Sequence, residues 1–211
     1  ATIENGFSFV GLSKVRTYTV INSTATVNVL PGAFIEDTFN HVNVLSNSSI
    51  KSFFNKASVA VSSVGCEPDA LTDTTLKLVG TMTVGSSDSG SAAVTITGRY
   101  VDVEAYSGTM KIVDYSYAKG TGLGANVDAH TVLSPKITIT TTVKNTKLRG
   151  YDSITVKAAA APRVASNSVD SNGNNLYSHS NAIIRSVGAA NANAEMNGTA
   201  TISMSVSGVT F

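Results

Sequence analysis

The chain has one cysteine, four prolines and no tryptophan among its 211 residues, and only 14% of those residues are charged. A single thiol, Cys66, cannot close an intramolecular disulfide, so the core must hold the fold alone. Its expected role is that of a small buried side chain. Fifteen Lys and Arg nearly balance fourteen Asp and Glu, for a net charge of +1. They are scattered, and without a basic patch there is no electrostatic footprint for nucleic acid or an anionic membrane. No run is apolar enough to span a bilayer, so stable membrane insertion is not expected. Helical patterning is scarce as well, with helix expected only as short turns at 48–57 (SSIKSFFNKA) and 33–39 (AFIEDTF).

What the chain does have is alternation. Hydrophobic residues make up 42% of it, and Ser, Thr, Asn, Gly and Ala fill most of the rest. Period-two patterns recur at 24–29 (TATVNV), 57–64 (ASVAVSSV), 76–84 (LKLVGTMTV), 92–106 (AAVTITGRYVDVEAY) and 110–117 (MKIVDYSY). They continue at 136–143 (KITITTTV), 153–158 (SITVKA) and 198–211 (GTATISMSVSGVTF). These runs are rich in Val, Ile, Thr and Tyr and are separated by turn formers, which predicts strands with one buried face. The segment 84–92 reads as a hairpin tip and 105–110 as a tight turn. The expected fold is all-β: an immunoglobulin-like or jelly-roll antiparallel β-sandwich. One domain is expected over 12–211, preceded by an extended N-terminal segment at 1–11. The polar stretch 163–182 is expected as a surface loop before a strand near 182–187.

Signals for chemistry are thin. His41, His130 and His179 lie in unrelated polar contexts, without metal-ligand spacing. GTGLGA at 120–125 does not join a parallel strand to a helix, so it is read as a β connection. DSNGNN at 170–175 places Asp and Asn as a calcium loop begins, but its glycine is misplaced and no Glu closes it. The pairs Glu36/Asp37 and Asp102/Glu104 could in principle exchange protons, yet the second alternates with Val101 and Val103 as a solvated strand face does. No catalytic residue, cofactor or metal site is expected, and the chain is not read as an enzyme.

Both ends alternate like strands. Ile3, Phe7 and Phe9 share one face near the start, and Ala200, Ile202, Met204 and Val206 share one near the end. A free segment bearing Ile and two Phe is an aggregation hazard unless it pairs with a sheet. The numbering begins at Ala1, which suggests an exported chain whose signal peptide has been removed. Sequons at Asn22, Asn47 and Asn197 are glycosylation acceptors that agree with this.

In these features the chain resembles pilus and fimbrial subunits assembled by donor-strand complementation, in bacterial chaperone–usher pilins or archaeal filament analogues. Gly198 stands fourteenth from the end, followed by alternating Ile202, Met204 and Val206. Phe211 is last where the family has a penultimate aromatic, and the family's paired cysteines are absent. The resemblance implies an N-terminal donor strand with Ile3, Phe7 and Phe9 as plugs. It also implies an acceptor groove beside Ala200, Ile202, Met204 and Val206. Burying three such plugs is worth roughly 5–8 kcal/mol by area. The implied protein is an extracellular, cell-surface filament subunit that polymerises head-to-tail and serves adhesion or biofilm formation. Implied partners are other copies of the chain, a periplasmic chaperone or assembly platform, and host or surface glycans. Two other readings stand beside it: a jelly-roll viral or phage capsid or decoration protein, and a carbohydrate-binding adhesive module using Tyr100, Tyr106, Tyr115 and Tyr117.

Overall fold

The structure, a computed structural model, describes residues 2–4, 8–50, 52–88, 90–108, 111–160, 176–185 and 187–211. Its elements are β1 (Thr2–Glu4), β2 (Ser8–Val29), β3 (Phe34–Asn47), β4 (Ser52–Val84) and β5 (Val94–Ser107). They continue with β6 (Lys111–Thr121), β7 (Ala125–Ala160), β8 (Leu176–Ile184), β9 (Gly188–Met196) and β10 (Thr199–Thr210). Every pairing between them is parallel. The chain is therefore not an antiparallel sandwich, whether immunoglobulin-like or jelly-roll. It winds as a β-solenoid, each coil stacking its strands onto the same strands of the coil before.

The coil is flattened into two layers. One layer holds the long segments: β2, residues 66–84 of β4, 125–143 of β7, then β9 and β10. The other holds two columns side by side. The first is β1, the start of β4, β6 and β8; the second is β3, β5 and 146–160 of β7. β4 and β7 each turn from one layer into the other. The Asn55 amide donates to Thr74 Oγ1 within β4 (3.0 Å), and the Thr141 hydroxyl donates to the Lys157 carbonyl within β7 (2.7 Å). The corner in β7 falls at Asn145, whose φ of 45° lies in the left-handed region that Asn tolerates.

Alternation fixes the inside. Along β4 the even-numbered residues from Cys66 to Val84 turn inward, and Leu76, Leu78, Met82 and Val84 are wholly buried against Val94, Ile96, Val101 and Val103 of β5. A second cluster of Val, Ala and Cys66 fills the end beneath β6. Its residues are small, so the two layers come closer there. Gly120 sits in that narrow end, where an added Cβ would lie 3.0 Å from the Cys66 sulfur. Exposed polar contacts tie neighbouring coils: the ion pairs Arg16–Asp69 (3.3 Å) and Arg99–Asp152 (2.6 Å), and His130 Nε2 beside Glu195 (3.3 Å). Such pairs contribute little beside the stacked core.

Two local expectations also change. Residues 33–39 and 48–57 form no helical turns: Phe34 opens β3 and Ser52 opens β4. In 52–57 the inward positions are Phe53, Asn55 and Ala57, a spacing of two that only a strand can bury on one face. The expected hairpin at 84–92 is instead a corner of the coil, because β4 and β5 are not paired with each other. Of the expected surface loop at 163–182, residues 176–182 are strand, part of β8, while 163–175, with the Asp170–Asn175 turn, lie outside the described residues.

At the corner between β6 and β7 the backbone of Gly122 adopts φ +151°, and a Cβ there would overlap the Ser63 carbonyl of the previous coil. No side chain can yield, since the obstacle is backbone. Gly122→Ala is expected to lower the thermal midpoint clearly, whereas Gly90→Ala, with open space around it, should show only the smaller backbone cost of its φ of +90°. A thermal melt of both variants by circular dichroism checks this.

Candidate assembly surface

A solenoid has two ends, and each exposes a strand edge. Among the described residues the first coil ends in β2, whose strand partner is β4, and in β3, whose strand partner is β5. Both edges carry devices that discourage further pairing. β2 presents Lys14 and Arg16. β3 has a bulge between Asp37 and His41, where Asp37 accepts hydrogen bonds from the Phe39 and Asn40 amides (3.1 Å each). The Asn40 side chain and those amides hold the Asp37 carboxyl below its ordinary range.

The last coil differs. β10 follows β7 residue for residue from Thr199↔Lys136 to Thr210↔Lys147, and it has no charged residue and no proline along its length. Ala200, Ile202, Met204 and Val206 lie together on its inner face, continuing the column of Ile137, Ile139, Thr141 and Val143. Ile139 is fully buried because the second column of the opposite layer covers it. Ile202, Met204 and Val206 are 49%, 55% and 41% exposed. Among the described residues no strand lies opposite them. On the far side of that gap, 148–160 of β7 pair, among the described residues, with β5 alone. Among the described residues, therefore, no strand occupies the position parallel to β7 at 148–160 and facing β10. Sequence reasoning located the apolar row on β10 but not the bare edge of β7, although SITVKA at 153–158 was legible as a strand.

The other expected positions are dispersed. In the N-terminal segment, Ile3 lies in β1, in register with Val59 of the same chain, and Phe9 lies in β2. Phe7 falls outside the described residues. β2 itself begins at Ser8 and so crosses the expected boundary at residue 11. Asn22 and Asn197 are exposed, and the Asn47 amide donates to the Tyr106 hydroxyl (3.0 Å).

His41 stacks on Tyr100 with ring centroids 4.3 Å apart, and His179 stacks on Tyr115 at 5.3 Å. His130 faces Glu195 and Asn193. The three histidines therefore stand at three separate places on the outer surface. Asp102 and Glu104 point outward between the buried Val101 and Val103, and Cys66 is buried and unbridged. On the outer face of the long layer hydroxyls stack coil on coil, as in Thr26, Thr81, Thr140 and Ser203. No protein-family model, no curated protein and no solved structure matches the chain.

Proposed function

We propose that the protein is a structural subunit of an extracellular, cell-surface filament, assembled head-to-tail by strand addition and serving adhesion or biofilm formation. The observation that carries this reading is the half-exposed apolar row Ile202, Met204 and Val206, set opposite the bare edge of β7. A single strand laid there would pair with β7 and cover the row at once, which is β-augmentation with pockets for alternate side chains. In a solenoid this donor enters parallel to its neighbour, beside β7 and opposite β10.

The occupant we assign is the N-terminal segment of a second copy, with Ile3, Phe7 and Phe9 directed at β10. In its own chain β1 is three residues long and lies at the opposite end of the solenoid, and the exchange would free it together with the first residues of β2. A contact between unlike ends propagates as an open fibre when its rotation does not close. The sequons at Asn22, Asn47 and Asn197 support a surface location, and an assembly chaperone would shield the row on β10 before export. Surface glycans are the ligands a filament of this kind would meet.

The test combines electron microscopy with peptide binding. The full chain is expected to form thin fibres, and Met204→Asp to leave monomers. A chain lacking residues 1–9 should remain monomeric and capture a synthetic peptide of residues 1–11. Monodisperse particles of the full chain at every concentration, with no peptide captured, would overturn the reading.

A further inference from the structure

Among the described residues, the interior of the narrow end of the solenoid holds one carboxyl. Asp114 on β6 points inward and is fully buried. In its column stand Asn55 of the coil before and Ser178 of the coil after, one strand spacing away on either side. Across the layer the Thr17–Thr72–Thr131 column faces it. Five buried oxygens here have no hydrogen-bond partner: Thr17 Oγ1, Thr72 Oγ1, both oxygens of Asp114, and Ser178 Oγ.

The neighbouring groups are satisfied among themselves. Thr131, Ser116 and Ser180 close a ring of hydroxyls at 2.8–3.0 Å, and the Asn55 amide gives one of its two N–H groups to Thr74. Thr72, Thr74 and Asn55 stand near enough to ease the carboxyl, but none reaches it in hydrogen-bond geometry. The charged group that acts on it, Asp73 of β4, is another anion. The inward positions facing it on β4, β7 and β8 (Thr72, Thr74, Thr131 and Ser178) are uncharged.

A buried carboxylate with no counter-charge is costly, and it must find either a proton or a cation. All the free donors here are oxygens, which suit a hard cation and exclude the soft-metal chemistry of thiolate and imidazole. One carboxylate carries one negative charge. A monovalent ion leaves the interior neutral, while a divalent ion would leave a net positive charge in it. We propose that Asp114, with the Thr72 and Ser178 hydroxyls, holds an alkali-metal cation inside the solenoid. Ser178 belongs to β8, the last described strand of its column, and its hydroxyl oxygen is buried beside Asp114. The inference is independent of the assembly reading.

The test is thermal unfolding of the whole chain in sodium, potassium or choline chloride at equal ionic strength. At about pH 8, sodium or potassium should raise the midpoint by roughly 5–10 °C over choline. At about pH 4.5, where a proton takes the ion's place, the salts should agree, and Asp114→Asn should abolish the difference at both. Equal midpoints in all three salts at about pH 8 would overturn the proposal and assign the site to water. A response that survives in Asp114→Asn would overturn it too, by placing the ion elsewhere. If Asp114→Asn does not fold, sodium NMR of the wild type decides: line broadening lost on acidification supports the site, and its absence overturns it.

Discussion

Ile139→Ala should lower the free energy of unfolding by about 2–5 kcal/mol, while Ile202→Ala, one coil later in the same column, should cost about 1 kcal/mol or less. The two residues are neighbours in register and chemically identical, so only their surroundings differ. Ile139 is fully buried, and an added Cβ on Gly80 of the preceding coil would lie 3.0 Å from its Cδ1. Removing its methyl groups leaves a cavity that three coils share. Stability in a solenoid is a sum of coils and the contacts between them, so damage to an inner coil weakens two interfaces at once. Ile202 is half exposed and has no strand opposite, so truncation there removes little. Urea unfolding of the monomer measures both variants. If strand addition is the function, Ile202→Ala should also raise the concentration needed for fibres, about tenfold for each 1.4 kcal/mol of lost contact. Equal losses at the two sites would show that β10 is covered within its own chain.

Strand content and strand faces could be read from the sequence, because alternation reports which side of a strand is buried. Val101 and Val103 are inward and Asp102 and Glu104 outward, as VDVE spells out. Alternation does not report direction. In most proteins a parallel sheet is buried on both faces and reads as continuous apolar runs, so a half-polar pattern favours an antiparallel reading. A solenoid breaks that association, since its parallel strands face the core on one side and water on the other.

The signal that settles direction was a long repeat. Val29, Val84, Val143 and Val206 lie in one column, about 60 residues apart. Each is preceded one, three and five residues earlier by outward positions that the coils share: Thr24, Thr26 and Asn28, then Val79, Thr81 and Thr83, and so on to Thr201, Ser203 and Ser205. Because the spacing lengthens from coil to coil, a search at one fixed period blurs it. The apolar face of β10 was legible for the same reason that strand faces were. Its lack of a covering strand was not, because that depends on where 146–160 of β7 lie in three dimensions. The buried carboxyl was hidden similarly: in MKIVDYSY, Asp114 shares a parity with Ile112 and Ser116, a pattern that reads either as a charged outer face or as a polar break in a core.

Titrating that carboxyl should give the chain an unusual pH dependence. Burial, opposed by Thr72, Thr74 and Asn55, pushes Asp114 up from an ordinary 3.8 to about 6. The native state therefore keeps its proton over a range where the unfolded chain has already released it. Stability is fully present below about pH 4, falls as pH rises through that window, and levels off above about 6. Two pKa units correspond to about 3 kcal/mol. Asp37 and Asp152 act in the opposite sense: hydrogen bonds from Asn40 and the Phe39 amide in one case, and Arg99 and Tyr100 in the other, hold them below their ordinary value. Their stabilisation is lost only as pH falls below the usual carboxylate range, so it does not overlap the window of Asp114. Urea unfolding in choline chloride between about pH 4.5 and 7 isolates the effect. The wild type should lose stability across that interval, while Asp114→Asn, which carries no titrating proton, should stay flat. In sodium or potassium the wild-type loss should shrink, because an ion that binds only the charged carboxylate repays the proton's departure. A wild type that gains stability across the same interval in choline would mean that Asp114 is solvated or paired in the folded chain, and that the interior column carries no uncompensated charge.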